Sequence, residues 1–343
     1  MANSESRFYL FYPLIFLTVL FALDKLIPAD YFRKDFLQSG NRVYYIQRED
    51  QLEKLKKENI GDRKFILTLG DSRAYSYSDQ SFEGERKKKY ILYNFSAPQA
   101  VVSYHLYMLR KILASGKKPD LLFVVLSPEG FDDDRRAVYK PFLKYASDEE
   151  FREKYSELIP EADKRQMLLD RIFVIRSIEL DYKLLFERLQ KKSLREYSRA
   201  GSKEYAMLNL WRGEQVAYAA TANNIKKLEE DSVRLSMAYF GSYKIDETQF
   251  KFLNELLRTA KNAGIEVKLV WGKVYPKYAE NFIKHSLKEK WEKRIIEMSS
   301  QYGYKFYNMN EVSDCDVFYD ASHQSSLCYA RQLNYLVDES ERR

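Results

Sequence analysis

Three side chains in this 343-residue chain have the types and the spacing for acyl-transfer chemistry: Ser72, His323 and Asp320. Ser72 stands in Phe65-Ile66-Leu67-Thr68-Leu69-Gly70-Asp71-Ser72-Arg73-Ala74. A short apolar, partly β-branched run that ends in Gly-Asp-Ser reads as a buried strand delivering a serine to the carboxyl edge of a sheet. A serine nucleophile needs a base, and the chain has only three histidines, His105, His285 and His323. His323 closes the sequence Asp320-Ala321-Ser322-His323, in which one turn brings a carboxylate within reach of an imidazole nitrogen. Ser72 is then the candidate nucleophile, His323 the general base and later acid, and Asp320 the group that orients the ring. The competing structural reading makes Ser72 a helix cap and the Asp320–His323 segment an ordinary turn.

The other candidates read as structural. His105 belongs to an amphipathic pattern and His285 to a Lys-rich one, and neither falls at a strand end. The run Asp132-Asp133-Asp134 is followed by Arg135 and Arg136, so its carboxylates are expected to be solvated or paired rather than metal-bound. The two cysteines, Cys315 and Cys328, flank the Asp320/His323 turn. A disulfide between them suits an oxidising compartment, but two buried thiols near a core strand are the preferred reading. With no Cys-x-x-Cys, neither a metal nor a cofactor is expected.

A net charge of +7 and a pI near 9.0 come from Lys and Arg interleaved with Glu and Asp, as in Glu53-Lys54-Leu55-Lys56-Lys57-Glu58. That pattern marks solvated helix faces, and its balance suits anionic lipid or an acidic glycan. Without zinc-ligand spacing, a recognition-helix motif or a concentrated basic arm, no nucleic-acid partner is expected.

The elements that must position these residues follow in chain order. Phe8 to Leu23 is an apolar run that suffices to span a bilayer only if it extends towards Ile27 with Lys25 reaching the interface, so 1–28 is expected to be a single membrane anchor. Residues 29–63 read as a linker with a short helix from Glu49 to Asn59, and 64–343 as an α/β domain. Strands are expected at 65–69, 90–95, 121–126, 265–271 and 304–309, with helices at 97–113, 247–263 and 279–301. Strand, helix and strand at this spacing imply right-handed crossovers and a parallel sheet of about five strands. Residues 132–246 interrupt the alternation with charged helical segments, among them 148–158, 164–192 and 216–234, and read as a helical insertion.

Gly70-Asp71-Ser72 after the first strand and Asp320-x-x-His323 before a final helix, Ser325 to Val337, resemble the SGNH (GDSL-like) hydrolase superfamily. The resemblance implies a flavodoxin-like, three-layer fold whose Ser, His and Asp triad is assembled from the two chain ends. The N-terminal apolar run, Gly-Asp-Ser-Arg-Ala, Asn94-Phe95-Ser96 and Leu126-Ser127-Pro128-Glu129-Gly130-Phe131 are similar to a group of membrane-anchored bacterial SGNH-like proteins. That group is in turn similar to envelope proteins that work with membrane-bound O-acyltransferases in alginate acetylation and teichoic-acid alanylation. The resemblance covers the anchor and the sheet segments, not the insertion.

The resemblance also implies site residues and a location. A family glycine of the second block and an asparagine of the third help the nucleophile's amide bind an oxyanion; here Asn94 to Gln99 holds no glycine and Ser127-Pro128-Glu129 no asparagine. The candidates that remain are the Ser72 amide, a backbone amide near Ala97 to Gln99, and the Asn94, Gln99 and Ser127 side chains. Arg73 is a candidate for a substrate carboxylate or phosphate, with a structural pair to Glu129 or to an acid of the insertion the favoured alternative. Cys328 replaces a family glycine five residues after the histidine. Function is expected to be that of a single-pass, membrane-anchored esterase or O-acyltransferase acting on acyl esters of an envelope glycan or lipid, beside a membrane-bound O-acyltransferase. The alternative is a non-catalytic envelope protein that binds glycan or scaffolds such a partner. The domain is expected outside the cytoplasm, although Arg7 before the apolar run and Lys25, Arg33 and Lys34 after it, counted alone, point inward.

Overall fold

The computed structural model describes Tyr9, residues 11–28, 42–133, Phe142, 146–178, Phe186, 189–190, 212–214 and 218–341. Five apolar runs become the strands β1 (Lys64–Leu69), β2 (Tyr90–Asn94), β3 (Leu121–Leu126), β4 (Glu266–Trp271) and β5 (Lys305–Asn308). They pair in the order β2-β1-β3-β4-β5, and every pairing is parallel. Parallel strands are covered on both faces, so their sequences read as continuous apolar runs, and all six residues of β3 are buried.

Alternate strand residues feed two cores. Phe65, Leu67, Leu69, Leu122, Val124 and Leu126 face one side, whereas Ile66, Leu121, Phe123 and Val125 face the other. The helices of six residues or more are α1 (Tyr12–Lys25), α2 (Arg42–Lys57), α3 (Val102–Ala114), α4 (Glu149–Lys154), α5 (Glu161–Ile172), α6 (Ile225–Phe240), α7 (Glu247–Asn262), α8 (Pro276–Lys284), α9 (Lys293–Gln301) and α10 (Ser326–Glu341). The first core takes Leu55 of α2, Leu109 of α3, Leu256 of α7 and Ile295 of α9. On the second, α10 supplies Leu333, Leu336 and Val337, and the β1–β2 connection supplies Tyr77 and Phe82. A further antiparallel pair, β6 (Phe318–Asp320) and β7 (His323–Gln324), precedes α10.

The insertion leaves and returns at one place. Asp132 and Ile245 form an antiparallel bridge, flanked by hydrogen bonds from the Asp133 amide to Lys244 O (2.9 Å) and from the Asp246 amide to Phe131 O (2.7 Å). Asp132 is buried and accepts the Lys244 amide (3.1 Å), so the first carboxylate of the acidic run is a backbone acceptor; Asp134, Arg135 and Arg136 lie outside the described residues.

Several elements differ from the sequence reading. The helix expected over 164–192 ends at Ile172, where Phe173 turns extended; much of its remainder lies outside the described residues. The helix expected over 216–234 begins at Ile225, where the Asn224 side chain caps the Lys227 amide (3.1 Å), and runs on to Phe240. The helix expected over 279–301 is broken, because Ser286 takes a φ of 53° and a π-helical turn, Lys288–Glu292, precedes α9. The 29–63 segment contains α2, which is no solvated face alone: its Tyr45, Leu52 and Leu55 are buried in the first core.

The apolar N-terminal run also differs. Its described helix has 14 residues, about 21 Å at 1.5 Å per residue, against about 30 Å of hydrocarbon. Pro13 lies in its first turn, and the Leu26 amide closes the helix on Leu23 O (3.1 Å) ahead of Pro28. Among the described residues no helix is long and apolar enough to cross a membrane. Cys315 and Cys328 are joined in a disulfide, in place of the two free buried thiols that the sequence favours. The bond ties the segment before β6 to the first turn of α10.

His105 on α3 is buried, and burial pushes its imidazole down to about 4, with the Asp71 charge opposing the shift. The unfolded chain takes up that proton near pH 6.5, so between about pH 6.5 and 4 the unfolded state binds more protons and acid favours unfolding. Replacing His105 by Gln or Phe is expected to shrink the loss of stability between pH 7 and pH 5 in urea titrations. An unchanged loss in both variants would show that His105 does not carry it.

Candidate active site

The serine corner is set by close packing at the end of β1. A Cβ added to Gly70 would lie 2.7 Å from Ala74 Cβ and 2.8 Å from Val125 Cβ, so only glycine lets the chain turn this tightly against β3. Asp71 then caps a 3₁₀ turn, Ser72–Ala74, by accepting the Arg73 amide (2.9 Å). The Ser72 amide is first in that turn and has no partner within it. Two neighbours hold the loop beyond: Asn94, at the end of β2, donates to Ala74 O (2.7 Å) and Tyr77 O (3.0 Å), and Tyr329 of α10 donates to Arg73 O (2.6 Å).

The histidine turn comes from the β6–β7 hairpin. The Asp320 carboxylate accepts the backbone amides of Ser322 (2.8 Å) and His323 (2.9 Å), which makes the turn self-capping. The Tyr275 amide, beyond β4, donates to Ala321 O (2.9 Å) and docks the hairpin against the sheet edge.

These two turns meet. Ser72 Oγ lies 2.7 Å from His323 Nε2, and His323 Nδ1 lies 2.9 and 3.0 Å from the two Asp320 oxygens. An Nδ1–H donated to Asp320 leaves Nε2 as the acceptor for the Ser72 hydroxyl. Burial alone would raise the Asp320 carboxyl, but the His323 hydrogen bond and charge and the Ser322 donors bring it down to about 2. Asp320 therefore stays ionised throughout the pH range in which histidine titrates.

The remaining sequence candidates fall into two groups. Gln99 and Ser127 border the cleft at Ser72, together with Ala100, Gly130 and Tyr239 of α6; its water-accessible volume is ≈ 40 Å³. Gln99 is exposed and takes a φ of 54°, a conformation that L residues adopt at a cost of about 1–2 kcal/mol, and it does so at the edge of the site. The Ser127 hydroxyl donates to Asp71 Oδ2 (2.9 Å). Asn94 is fully buried, and its amide is spent on the serine loop and on Ser96, so its side chain does not face the cleft.

Arg73 also turns away from solvent. Its guanidinium donates to Glu129 Oε1 (2.5 Å), Asp71 Oδ2 (3.1 Å) and Ser322 O (3.1 Å), and Tyr278 donates to the same Glu129 oxygen (2.6 Å). Burial would lower Arg73, yet Glu129 and Asp71 raise it above the ordinary arginine value. The pairing with Glu129 occupies the guanidinium that a substrate anion would need. For Asp71, burial would raise the carboxyl, but the Arg73 charge and amide and the Ser127 hydroxyl hold it below the usual carboxylate range.

Residues 5–340 match the family described as "Protein of unknown function (DUF1574)". The chain belongs to the DUF1574 family. No curated protein matches it.

One residue at the site of this DUF1574 chain carries no signal in its sequence. Tyr218, on the returning limb of the insertion, stacks on His323 with ring centroids 4.3 Å apart and planes at 18°. Its φ is 65°, and its carbonyl accepts the Ser326 amide (3.1 Å), while Ala220 exchanges hydrogen bonds with Ser325 Oγ (2.6 and 3.2 Å). Tyr218 falls in the stretch expected to be helical, 216–234, but lies ahead of the helix, which begins at Ile225. His285, by contrast, packs on Phe240 and Tyr243, away from Ser72. Among the described residues no group of three or more His, Cys, Asp or Glu is arranged to hold a metal ion.

The stack fixes the imidazole plane, which makes Tyr218 a positioning residue. Tyr218→Ala is expected to slow labelling of Ser72 by a fluorophosphonate by about tenfold, with Tyr218→Phe restoring most of the rate, because a small misplacement of a reacting group is costly. Equal rates in the wild type and Tyr218→Ala would remove this role.

Proposed function

We propose that the chain is a membrane-anchored SGNH-like esterase or O-acyltransferase that works on acyl esters of an envelope glycan or lipid. The observation that carries the reading is the unbroken hydrogen-bonded series from Ser72 Oγ to His323 to Asp320 at the carboxyl edge of the sheet. The 2-1-3-4-5 strand order, which is flavodoxin-like, supports the same fold assignment.

In this reading His323 Nε2 takes the Ser72 proton as Oγ attacks the ester carbonyl, and Asp320 stabilises the imidazolium. The oxyanion of the tetrahedral adduct is met by the Ser72 amide and by backbone of the Gln99 corner, since Asn94 and Ser127 direct their side chains elsewhere. The imidazolium then protonates the leaving alcohol, and the carbonyl re-forms as an acyl-Ser72. Water or an acceptor hydroxyl, deprotonated by His323, attacks that ester and releases Ser72 with its proton restored.

In this reading the apolar α1, too short among the described residues to cross a bilayer by itself, is embedded in it, and the Cys315–Cys328 disulfide supports an oxidising, extracytoplasmic location for the domain. A membrane-bound O-acyltransferase fits as the donor-side partner. Against a non-catalytic role for the fold stands the alignment of Ser72 and His323, which glycan binding alone does not require.

The test is hydrolysis of p-nitrophenyl acetate by the full chain in detergent. Ser72→Ala and His323→Ala are each expected to lower kcat by roughly a thousandfold or more, and the double variant by little further, because the residues act as a unit. Undiminished turnover in Ser72→Ala would exclude this serine and favour the glycan-binding or scaffolding role.

A further inference from the structure

α1 is apolar on every side, and its Leu14, Ile15, Phe16, Leu17, Val19 and Leu20 are all exposed. A helix apolar all round is stable when surrounded, not when wet. Its C-terminal end is not free, however. The Asp24 carboxylate accepts the backbone amides of Val174 (2.7 Å) and Ile175 (2.8 Å), and Lys25 donates to the carbonyls of Ile172 and Arg171. Asp24 thereby caps the short helical turn Val174–Ser177 of the insertion, 150 residues away in sequence.

That cap brings more apolar surface to the same place. Ile172, Phe173 and Ile175 are 37%, 39% and 47% exposed, and Phe173 meets Phe21 edge-on with ring centroids 6.2 Å apart. An open groove of ≈ 500 Å³ runs between the two elements, lined by Leu17, Leu20, Phe21, Ile27, Phe173 and Ile175. Lys25 is held at the junction by those carbonyls and by Asp24 (3.6 Å), and Arg171, 80% exposed, pairs with Glu149 at its surface (3.5 Å).

We propose that the Ile172–Ile175 junction is a second membrane contact, seated in the interfacial layer of a phospholipid bilayer beside α1, with lipid acyl chains in the groove. The inference rests on the reading of α1 as the bilayer-embedded element. A bilayer is favoured over a second copy of the chain because a helix partner covers one stripe of α1, whereas lipid covers every side. The insertion that makes this contact also supplies Tyr239 to the cleft and Tyr218 to His323.

Bromolipid quenching tests this with the full chain in phosphatidylcholine vesicles containing a brominated-acyl phosphatidylcholine. Leu20→Trp reports on α1, and Phe173→Trp, which keeps a ring in place, reports on the junction; the wild type, with Trp211, Trp271 and Trp291, sets the background. Both added tryptophans are expected to lose emission by roughly twofold, as for residues seated several ångströms into the interface. Quenching of Leu20→Trp without quenching of Phe173→Trp overturns the junction contact and leaves the anchor standing. Quenching of neither overturns the anchor as well. Shielding of Phe173→Trp from acrylamide that grows with protein concentration, without bromolipid quenching, assigns the surface to a second copy and overturns the proposal.

Discussion

Arg73 is the charge around which the site is built. It follows Ser72 in sequence, and its guanidinium reaches the β3 loop through Glu129, its own turn through Asp71 and the histidine turn through Ser322 O. Three segments that share no local sequence are thereby brought to one buried point. Removing one partner of such a buried pair typically costs about 3–5 kcal/mol, because the other charge is left without compensation. Glu129 takes a further hydrogen bond from Tyr278, and Asp71 one from Ser127, so the carboxylates have donors beyond Arg73. The charge cluster thus joins the turn that carries Ser72 to the turn that carries His323.

A second constraint lies above the site. The insertion leaves the sheet at Asp132 and returns at Ile245, and on the way it passes Tyr218 across His323 and Tyr239 along the cleft. The Arg212-Gly213-Glu214 segment is held against the end of β2: the Asn94 amide donates to Arg212 O (3.0 Å), and Gln51 Nε2 donates to the same carbonyl (2.7 Å). Gly213 has a φ of 91°, and a Cβ there would meet Asn94 O at 2.3 Å. Only glycine permits that approach.

How much of this was legible depended on whether the signal was local. The strands were, since a parallel sheet demands apolar runs bounded by turns, and β3 spans the residues read from sequence. The approach of Ser72 to His323 was foreseeable because both motifs close strands or precede a helix, and an α/β sheet gathers such ends at one edge. Arg73 could be read either as a ligand for an anion or as a partner for Glu129, and only burial chose between them. Asn94 and Ser127 look like oxyanion donors by motif position, but their side chains serve the loop and Asp71 instead. Tyr218, the disulfide and the break at Ser286 were not legible, because each depends on a tertiary contact or a backbone conformation that leaves no period in the sequence.

The proposed chemistry stands or falls on whether Ser72 carries an acyl group during turnover. The direct measurement is peptide mapping by mass spectrometry of the full chain, mixed briefly with p-nitrophenyl acetate and quenched in acid. One acetyl group is expected on the peptide holding Ser72 in the wild type and none in the His323→Ala variant. Continued ester turnover with Ser72 unmodified, or an acetyl group found on another residue in its place, would contradict it.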